Sequence, residues 1–149
     1  MRPIRFATQS GGAEILALMG READIVAIVP AGISGSGQLA KESVTLATLK
    51  KQAALVREAA GARADEIEFS MFLDCKLTDD REKTIAEMAE QSKADPDLIR
   101  GSAYRGIGRL DEITAHVRRL RDEVGMTYFC LRGPDVEQLG PVVKELSGA

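Results

Sequence analysis

A glycine-rich turn near the start of the chain is its sharpest chemical signal. A short strand is predicted just before this turn and a helix just after it. The turn consists of Gln9, Ser10, Gly11, Gly12 and Ala13. Two glycines let the backbone approach an anion closely, and the free N–H groups and dipole of a helix start favour negative charge. The run therefore predicts a phosphate site, and the alternative is a plain strand-to-helix turn that needs glycine for its dihedral angles.

Three more polar residues follow predicted strands and belong to the same candidate site. Arg132 comes directly after the last strand, and Asp74 and Cys75 end the third. We expect Arg132 to assist the phosphate, Asp74 to orient a substrate, and Cys75 to line the substrate pocket. The alternatives are a solvated arginine, a carboxylate that caps the strand end, and a small buried hydrophobic residue.

Other residues that could do chemistry give weaker signals. A looser basic group, made of Arg100, Tyr104, Arg105 and Arg109, could fold over an anionic ligand or pack on a neighbouring element. His116 is the only histidine and lies at the flank of an apolar helix stripe, so it is predicted to be a surface residue. Zinc, Walker and Ser-His-Asp patterns do not occur, so no metal site is predicted and catalytic residues stay unassigned.

The elements that would position these residues alternate regularly. Apolar runs and helical stripes predict the order β-α-β-α-β-α-α-β-α. Strands are predicted at 4–8, 24–30, 67–73 and 128–131, and helices at 13–21, 46–60, 80–92, 111–124 and 136–146. Residues 93–108 are predicted to be irregular, and the Gly- and Ser-rich loop 31–43 is a candidate lid. This alternation predicts an α/β domain with a parallel sheet and right-handed crossovers, spanning 1–149.

Four strand-and-helix units are half of what a parallel barrel needs to close. The units could form an open sheet with helices on both faces. They could instead form a curved wall with all helices outside, which leaves the inner face and two sheet edges bare. Bare edges invite pairing, and two copies related by a twofold axis would pair both. We expect the second arrangement, half of a TIM-type (β/α)8 barrel closed by dimerisation.

Composition excludes several classes of function. The net charge of −3 provides no broad basic field, and aromatic residues make up only 4%, so nucleic acid is not an expected partner. No apolar run approaches the ~20 residues of a membrane span, and the start lacks the apolar region of a signal peptide. The two cysteines match no metal spacing and suit reduced thiols. A cytoplasmic location is therefore expected.

Several stretches, taken in order, resemble one known family. These stretches are Ser10–Leu16, Arg21–Val26, Val56–Gly61, Asp65–Glu68, Leu110–Ile113 through Leu120–Arg121, Val124–Phe129 and Pro141–Leu146. Their order and spacing resemble the C-terminal half of the luciferase-like TIM-barrel oxidoreductases, which include flavin- and F420-dependent enzymes and monooxygenases. The resemblance covers nearly the whole chain, although no single motif is diagnostic.

The resemblance implies a set of roles. The glycine turn would hold the phosphate of FMN or F420, the 31–43 loop would cover the barrel mouth, and a small molecule would be the substrate. The partner would be a second copy in a homodimer, or a complementary half-barrel. The family's N-terminal half, with much of its flavin ring site, has no counterpart here. Glu14, and Arg109–Leu110 in place of a Thr-Pro helix start, depart from the family pattern. A non-catalytic or non-flavin binding module therefore remains the alternative.

Overall fold

The computed structural model describes residues 7–10, 12–30 and 40–147. Most of the predicted 31–43 lid therefore lies outside the described residues. Five strands and six α-helices occur in the described parts of the chain. They are β1 (Ala7–Ser10), α1 (Ala13–Glu22), β2 (Ile25–Ile28), α2 (Leu46–Ala60), β3 (Glu68–Leu77), α3 (Arg81–Ser92), α4 (Pro96–Arg100), β4 (Arg105–Gly108), α5 (Leu110–Val124), β5 (Met126–Arg132) and α6 (Gly140–Leu146).

Four of the strands form one continuous parallel wall in the order β1-β2-β3-β5. Gln9 pairs with Ala27, Ala27 with Ser70, and Ser70 with Tyr128, so one row of residues crosses the whole wall. These are the four strands that the apolar runs predict. Within the described residues, β1 pairs only with β2 and β5 only with β3, which leaves both outer edges of the wall open.

The helices of the wall cover one face of the sheet. Along β3, alternate residues from Phe69 to Cys75 are at most 2% exposed and form part of the main core. The residues between them, such as Phe72 and Asp74, are only half-buried, and Tyr128 on β5 is 55% exposed. A sheet with helices on both faces would bury both sets of side chains. The α/β half-barrel prediction is therefore confirmed, and the open-sheet alternative is wrong.

Close helix packing builds the outer layer. α1 packs on α2, α2 on α5, and α5 on α6, so the helices stand in a row behind the strands. A Cβ at Gly20 would overlap the Val56 carbonyl oxygen, so glycine allows α1 to approach α2 closely. Thr45 caps the start of α2, and its hydroxyl accepts from Thr48 N at 3.2 Å. Gly61 caps the other end with a φ of 57°.

The segment 93–108 is ordered, and the prediction that it is irregular is wrong. Asp95 caps α4 by accepting from Asp97 N at 2.8 Å. β4 pairs with the C-terminal end of β3, where Asp74 lies between Arg105 on β4 and Arg132 on β5. β4 therefore lies on the opposite side of β3 from β5, at the end of the wall where the predicted site residues gather.

Candidate functional site

Asp74 and Arg132 form an ion pair at the C-terminal ends of β3 and β5. Arg132 Nε donates to Asp74 Oδ1 at 2.9 Å, and Nη2 donates to Oδ2 at 3.2 Å. The guanidinium also lies 4.5 Å from the centre of the Phe72 ring. Parallel pairing of the two strands places the residues directly opposite each other. The carboxylate and the ring together hold the Arg132 side chain in one position on the inner face.

A cleft of about 450 Å³, here called the rim cleft, opens above this ion pair. Its walls are mostly apolar, and its polar lining comes from strand ends and from the segment before β4. The residues used below are Phe72, Asp74, Tyr104, Arg105 and Arg132. An apolar cleft with a few convergent polar groups is the usual form of a small-molecule site. Two of these residues, Asp74 and Arg132, are among those the sequence assigns to a site.

Tyr104 lines the rim cleft and carries a buried polar group without a partner among the described residues. The residue is 8% exposed, and within the described chain its hydroxyl has no hydrogen-bond partner. Burial raises the pKa of Tyr104, so the phenol stays neutral and can donate. Its carbonyl accepts from Asp74 N at 2.9 Å, which fixes the backbone of this segment against β3. An unsatisfied buried hydroxyl costs free energy, and a polar ligand atom would recover it.

Arg105 is the one arginine of the predicted basic group that has no ion pair among the described residues. Arg100 binds Glu82 and Asp97, and Arg109 binds Asp111 and Glu112. In the described part of the chain, Arg105 has neither an ion pair nor a side-chain hydrogen bond, and it lines the rim cleft. The basic group therefore contributes one half-exposed guanidinium to the site. Arg100 links α3 to α4, and Arg109 is paired within the first turn of α5.

Cys75 lies on the opposite face of β3 from the rim cleft. Its thiol is 2% exposed and lies beside Gly106. Burial, with a smaller contribution from the Asp74 charge, raises the pKa of the Cys75 thiol to about 11. The structure does not bring Cys75 into the cleft, and its position fits the alternative of a small buried residue.

His116 is half-buried, so its prediction as a surface residue needs correction. Its Nε2 lies 2.9 Å from the carbonyl oxygen of Ala103, which only accepts, so Nε2 carries the proton. Desolvation lowers the pKa of His116. Ala103 N in turn donates to Val44 O at 2.8 Å. His116 therefore anchors the residues just before Tyr104, a role that sequence spacing does not reveal.

Neither a metal-binding cluster nor a membrane-spanning helix occurs within the described ranges. Across 7–10, 12–30 and 40–147, no group of three or more His, Cys, Asp or Glu side chains could hold a metal ion. In the same ranges, every helix is too short or too polar to cross a membrane.

No family model and no curated protein matches the sequence. Solved structures do match it. An F420-dependent secondary alcohol dehydrogenase in complex with an F420–acetone adduct matches with a TM-score of 0.64 and 18% identity, over 97% of this chain and 48% of that one. The coenzyme F420 dependent tetrahydromethanopterin reductase from Methanopyrus kandleri matches with a TM-score of 0.62 and 15% identity, over 94% of this chain and 49% of that one. The long-chain alkane monooxygenase LadA matches with a TM-score of 0.60 and 12% identity, over 95% of this chain and 41% of that one.

The chain has the fold of half a luciferase-like barrel. It spans about half the length of the enzymes it matches. The family resemblance seen in the sequence is thus confirmed at the level of fold.

The half-barrel places the glycine turn at the same end of the wall as the rim cleft but far from Arg132. Gly12 is the exposed N-cap of α1, Ala13 is exposed beside it, and Gly11 lies outside the described residues. Gln9 and Ser10, predicted to belong to the turn, are the last two residues of β1, and Arg132 ends β5, three strand spacings away. Three spacings are about 14 Å, which is longer than an arginine side chain. A single copy therefore does not bring the turn and Arg132 together.

Proposed function

We propose that the half-barrel is an oxidoreductase or monooxygenase that uses a flavin-type cofactor, F420 or FMN, on a small molecule. The observation that carries the proposal is the match of 93–97% of this chain to one half of enzymes described as F420-dependent, as containing FMN, or as monooxygenases. The rim cleft lies at the C-terminal ends of the parallel strands, where barrels of this type carry their sites.

The residues of the chain fit one end of such a cofactor. Gly12 and Ala13 are exposed at the start of α1, which suits a phosphate at the glycine turn formed by Gln9–Ala13. Glu14 is also exposed, so its carboxylate can point to solvent instead of toward the anion. When bound, the cofactor would supply hydride transfer or oxygen activation. The protein would bind the phosphate, orient the substrate with Asp74, and place Arg105 and Tyr104 around it.

A second candidate is a half-barrel binding module without flavin. The Asp74–Arg132 ion pair favours it, because Asp74 already neutralises the arginine that the sequence assigns to the phosphate. In this role the rim cleft would take a small anionic or polar ligand at Arg105 and Tyr104. Such a module would also act as a pair with another half.

Both candidate functions include pairing of this chain with a second half-barrel. The matched chains are about twice as long as this one, and both outer edges of the described wall are open. We propose that the chain functions in the cytoplasm as a homodimer or with a complementary half-barrel.

Fluorescence titration separates the two candidates. Purified protein is titrated with FMN and with F420, and the quenching of each is measured. Saturable quenching that competes with inorganic pyrophosphate supports the cofactor proposal. Absence of quenching up to high micromolar protein contradicts that proposal and favours the binding module.

A further inference from the structure

Exposed apolar side chains gather at the two ends of the half-barrel wall. In the described part of the chain, six large apolar side chains are exposed, and four of them lie on α1 or between β5 and the end of α6. We call Ile15 and Leu18 the α1 stripe, and Val136 and Val143 the α6 side. Of the other two, Tyr128 lies on the inner face of β5, and Leu110 lies at the start of α5, away from both ends. Apolar side chains that are exposed next to one another commonly mark an interaction surface.

The α1 stripe points away from the rest of the described wall. Gly20 faces α2, because a Cβ there would overlap Val56 of that helix. At 100° per residue, Ile15 and Leu18 lie about 140° and 160° around α1 from Gly20. They are 49% and 47% exposed. The outer flank of α1, next to the open edge of β1, is therefore an unpartnered apolar surface.

The α6 side has the mirror arrangement at the other end. Glu145 accepts from Arg118 Nη2 at 2.6 Å, so this part of α6 faces α5. Val143 lies about 160° around α6 from Glu145 and is 48% exposed. A groove of about 360 Å³ lies between α5, β5 and α6, and its lining includes Val117, Phe129 and Val143. Because β5 is an edge strand in the described sheet, the groove lies at this end of the wall.

We propose that a second copy of this chain covers both ends. β1 of one copy pairs with β5 of the other, and the α1 stripe packs on the α6 side. A twofold axis then makes two identical seams, and four strands from each copy give the eight that close a parallel barrel. This seam rests on the pairing in the proposed function, and it makes a second copy of this chain the partner.

Charge supports self-association at the seam. Glu22 lies on the same helix flank as the α1 stripe, and Lys144 lies next to Val143 on α6. Neither side chain has an ion pair within the described chain. Across each seam, Glu22 of one copy can therefore meet Lys144 of the other as one pair of opposite charges.

The seam completes the predicted phosphate site. Within one copy, β5 is three strand spacings from β1, but across the seam it is the next strand, about 5 Å away. Ser10 at the end of β1 and Gly12 at the start of α1 in one copy would then lie near Arg132 at the end of β5 in the other copy. The predicted phosphate site would thus be formed between copies.

Sedimentation equilibrium of designed variants tests the seam. Wild-type protein is expected at twice the chain mass of 16.0 kDa. Leu18→Glu and Val143→Lys should each weaken the dimer at least about tenfold, since each places a charge in an apolar contact at both seams. Leu110→Glu adds the same charge to another exposed leucine, which lies away from the seams, and should leave the dimer unchanged. Far-UV circular dichroism checks that each variant is folded.

A mixture of the two seam variants provides the sharpest readout. In a mixed dimer, one seam joins the introduced carboxylate to the introduced ammonium, and the other seam keeps the native residues. Leu18→Glu and Val143→Lys together should therefore dimerise more strongly than either alone. A folded, monomeric wild type, or a mixture that gains nothing over the single variants, overturns the proposal.

The outcome is independent of the cofactor. A wild-type monomer that binds FMN or F420 overturns the seam and leaves the cofactor proposal standing. A wild-type dimer with the expected variant pattern that binds neither compound supports the seam and contradicts the cofactor proposal.

Discussion

Asp74 and Arg132 lie directly opposite each other on parallel strands, and the arginine donates two hydrogen bonds to the carboxylate. The pair stands at the C-terminal end of the wall, between the apolar inner face and the rim cleft. It sets the charge of the site, because Asp74 neutralises Arg132 while Arg105 on the neighbouring strand stays unpaired in the described residues.

Removing the Asp74 carboxylate should raise the affinity for anions. In Asp74→Asn, Arg132 loses its charged partner, so binding of FMN or pyrophosphate should tighten several-fold. The pair is half-exposed, so the free energy of unfolding should fall by at most about 1 kcal/mol. Isothermal titration and urea unfolding measure the two effects.

The matched control for this change is Glu145→Gln. It removes an exposed ion pair with Arg118, far from the rim cleft, and should alter stability slightly without altering anion affinity. Weaker anion binding in Asp74→Asn would show that the carboxylate itself contributes to the site.

Gly20→Ala should destabilise the protein by about 1–3 kcal/mol. The new Cβ would overlap the Val56 carbonyl oxygen and force α1 away from α2. Gly140→Ala is the control, since nothing lies within 4 Å of a Cβ at that position. Urea unfolding should separate the two variants clearly. Equal stabilities would mean that α1 can shift without cost.

The Cys75 thiol should resist alkylation in the folded protein. Its pKa of about 11 keeps it protonated at pH 8, and its burial excludes reagent. Iodoacetamide labelling followed by mass spectrometry should modify Cys75 only after unfolding in urea. A Cys130→Ser variant removes the exposed cysteine and leaves one signal to follow. Rapid labelling of Cys75 in the folded variant would contradict the structure.

His116 should make the protein less stable as pH falls. Desolvation lowers its pKa in the folded state, so the unfolded chain binds the proton more tightly. The resulting stability is complete above the unfolded pKa of about 6.5 and is lost as pH falls toward the folded value. His116→Gln keeps an N–H donor for Ala103 but cannot titrate, so its urea midpoint should fall less between pH 7.5 and 5. If the urea midpoints of the wild type and of His116→Gln fall equally with pH, His116 does not cause the loss of stability.

The wall itself was predictable, because its strands and helices have strong local patterns. The β-branched run at 25–29 predicts β2, and the three- and four-residue spacing from Leu46 to Ala60 predicts α2. β4 was missed because Gly106 and Gly108 make up half of it and carry no side-chain pattern. Asp95 followed by proline was a usable sign of α4.

The site was only partly predictable, since it depends on strand register. The sequence places Asp74 and Arg132 at strand ends, but their pairing requires β3 and β5 to be neighbours in a specific register. The burial of the Tyr104 hydroxyl and the contact from His116 to Ala103 depend on how the 102–104 segment folds onto α5. Neither follows from local spacing.

Complementation between defective copies tests whether the phosphate site is shared. Gly12→Glu places a carboxylate in the turn, and Arg132→Ala removes the guanidinium, so each variant alone should bind FMN poorly. In a random mixture, about a quarter of the sites would combine an intact turn with an intact Arg132 from different copies. Equilibrium dialysis should recover binding at that level. No recovery, with mixed dimers present, would contradict a phosphate site shared between copies.

The most direct measurement of the central claim is hydrogen exchange at the two open edges of the wall. If a second copy pairs β1 with β5, the amides of both strands should exchange nearly as slowly as those of β3, and protection should fall on dilution below the dimer dissociation constant. Fast exchange of β1 and β5 amides at every protein concentration, with β3 protected, would contradict the account.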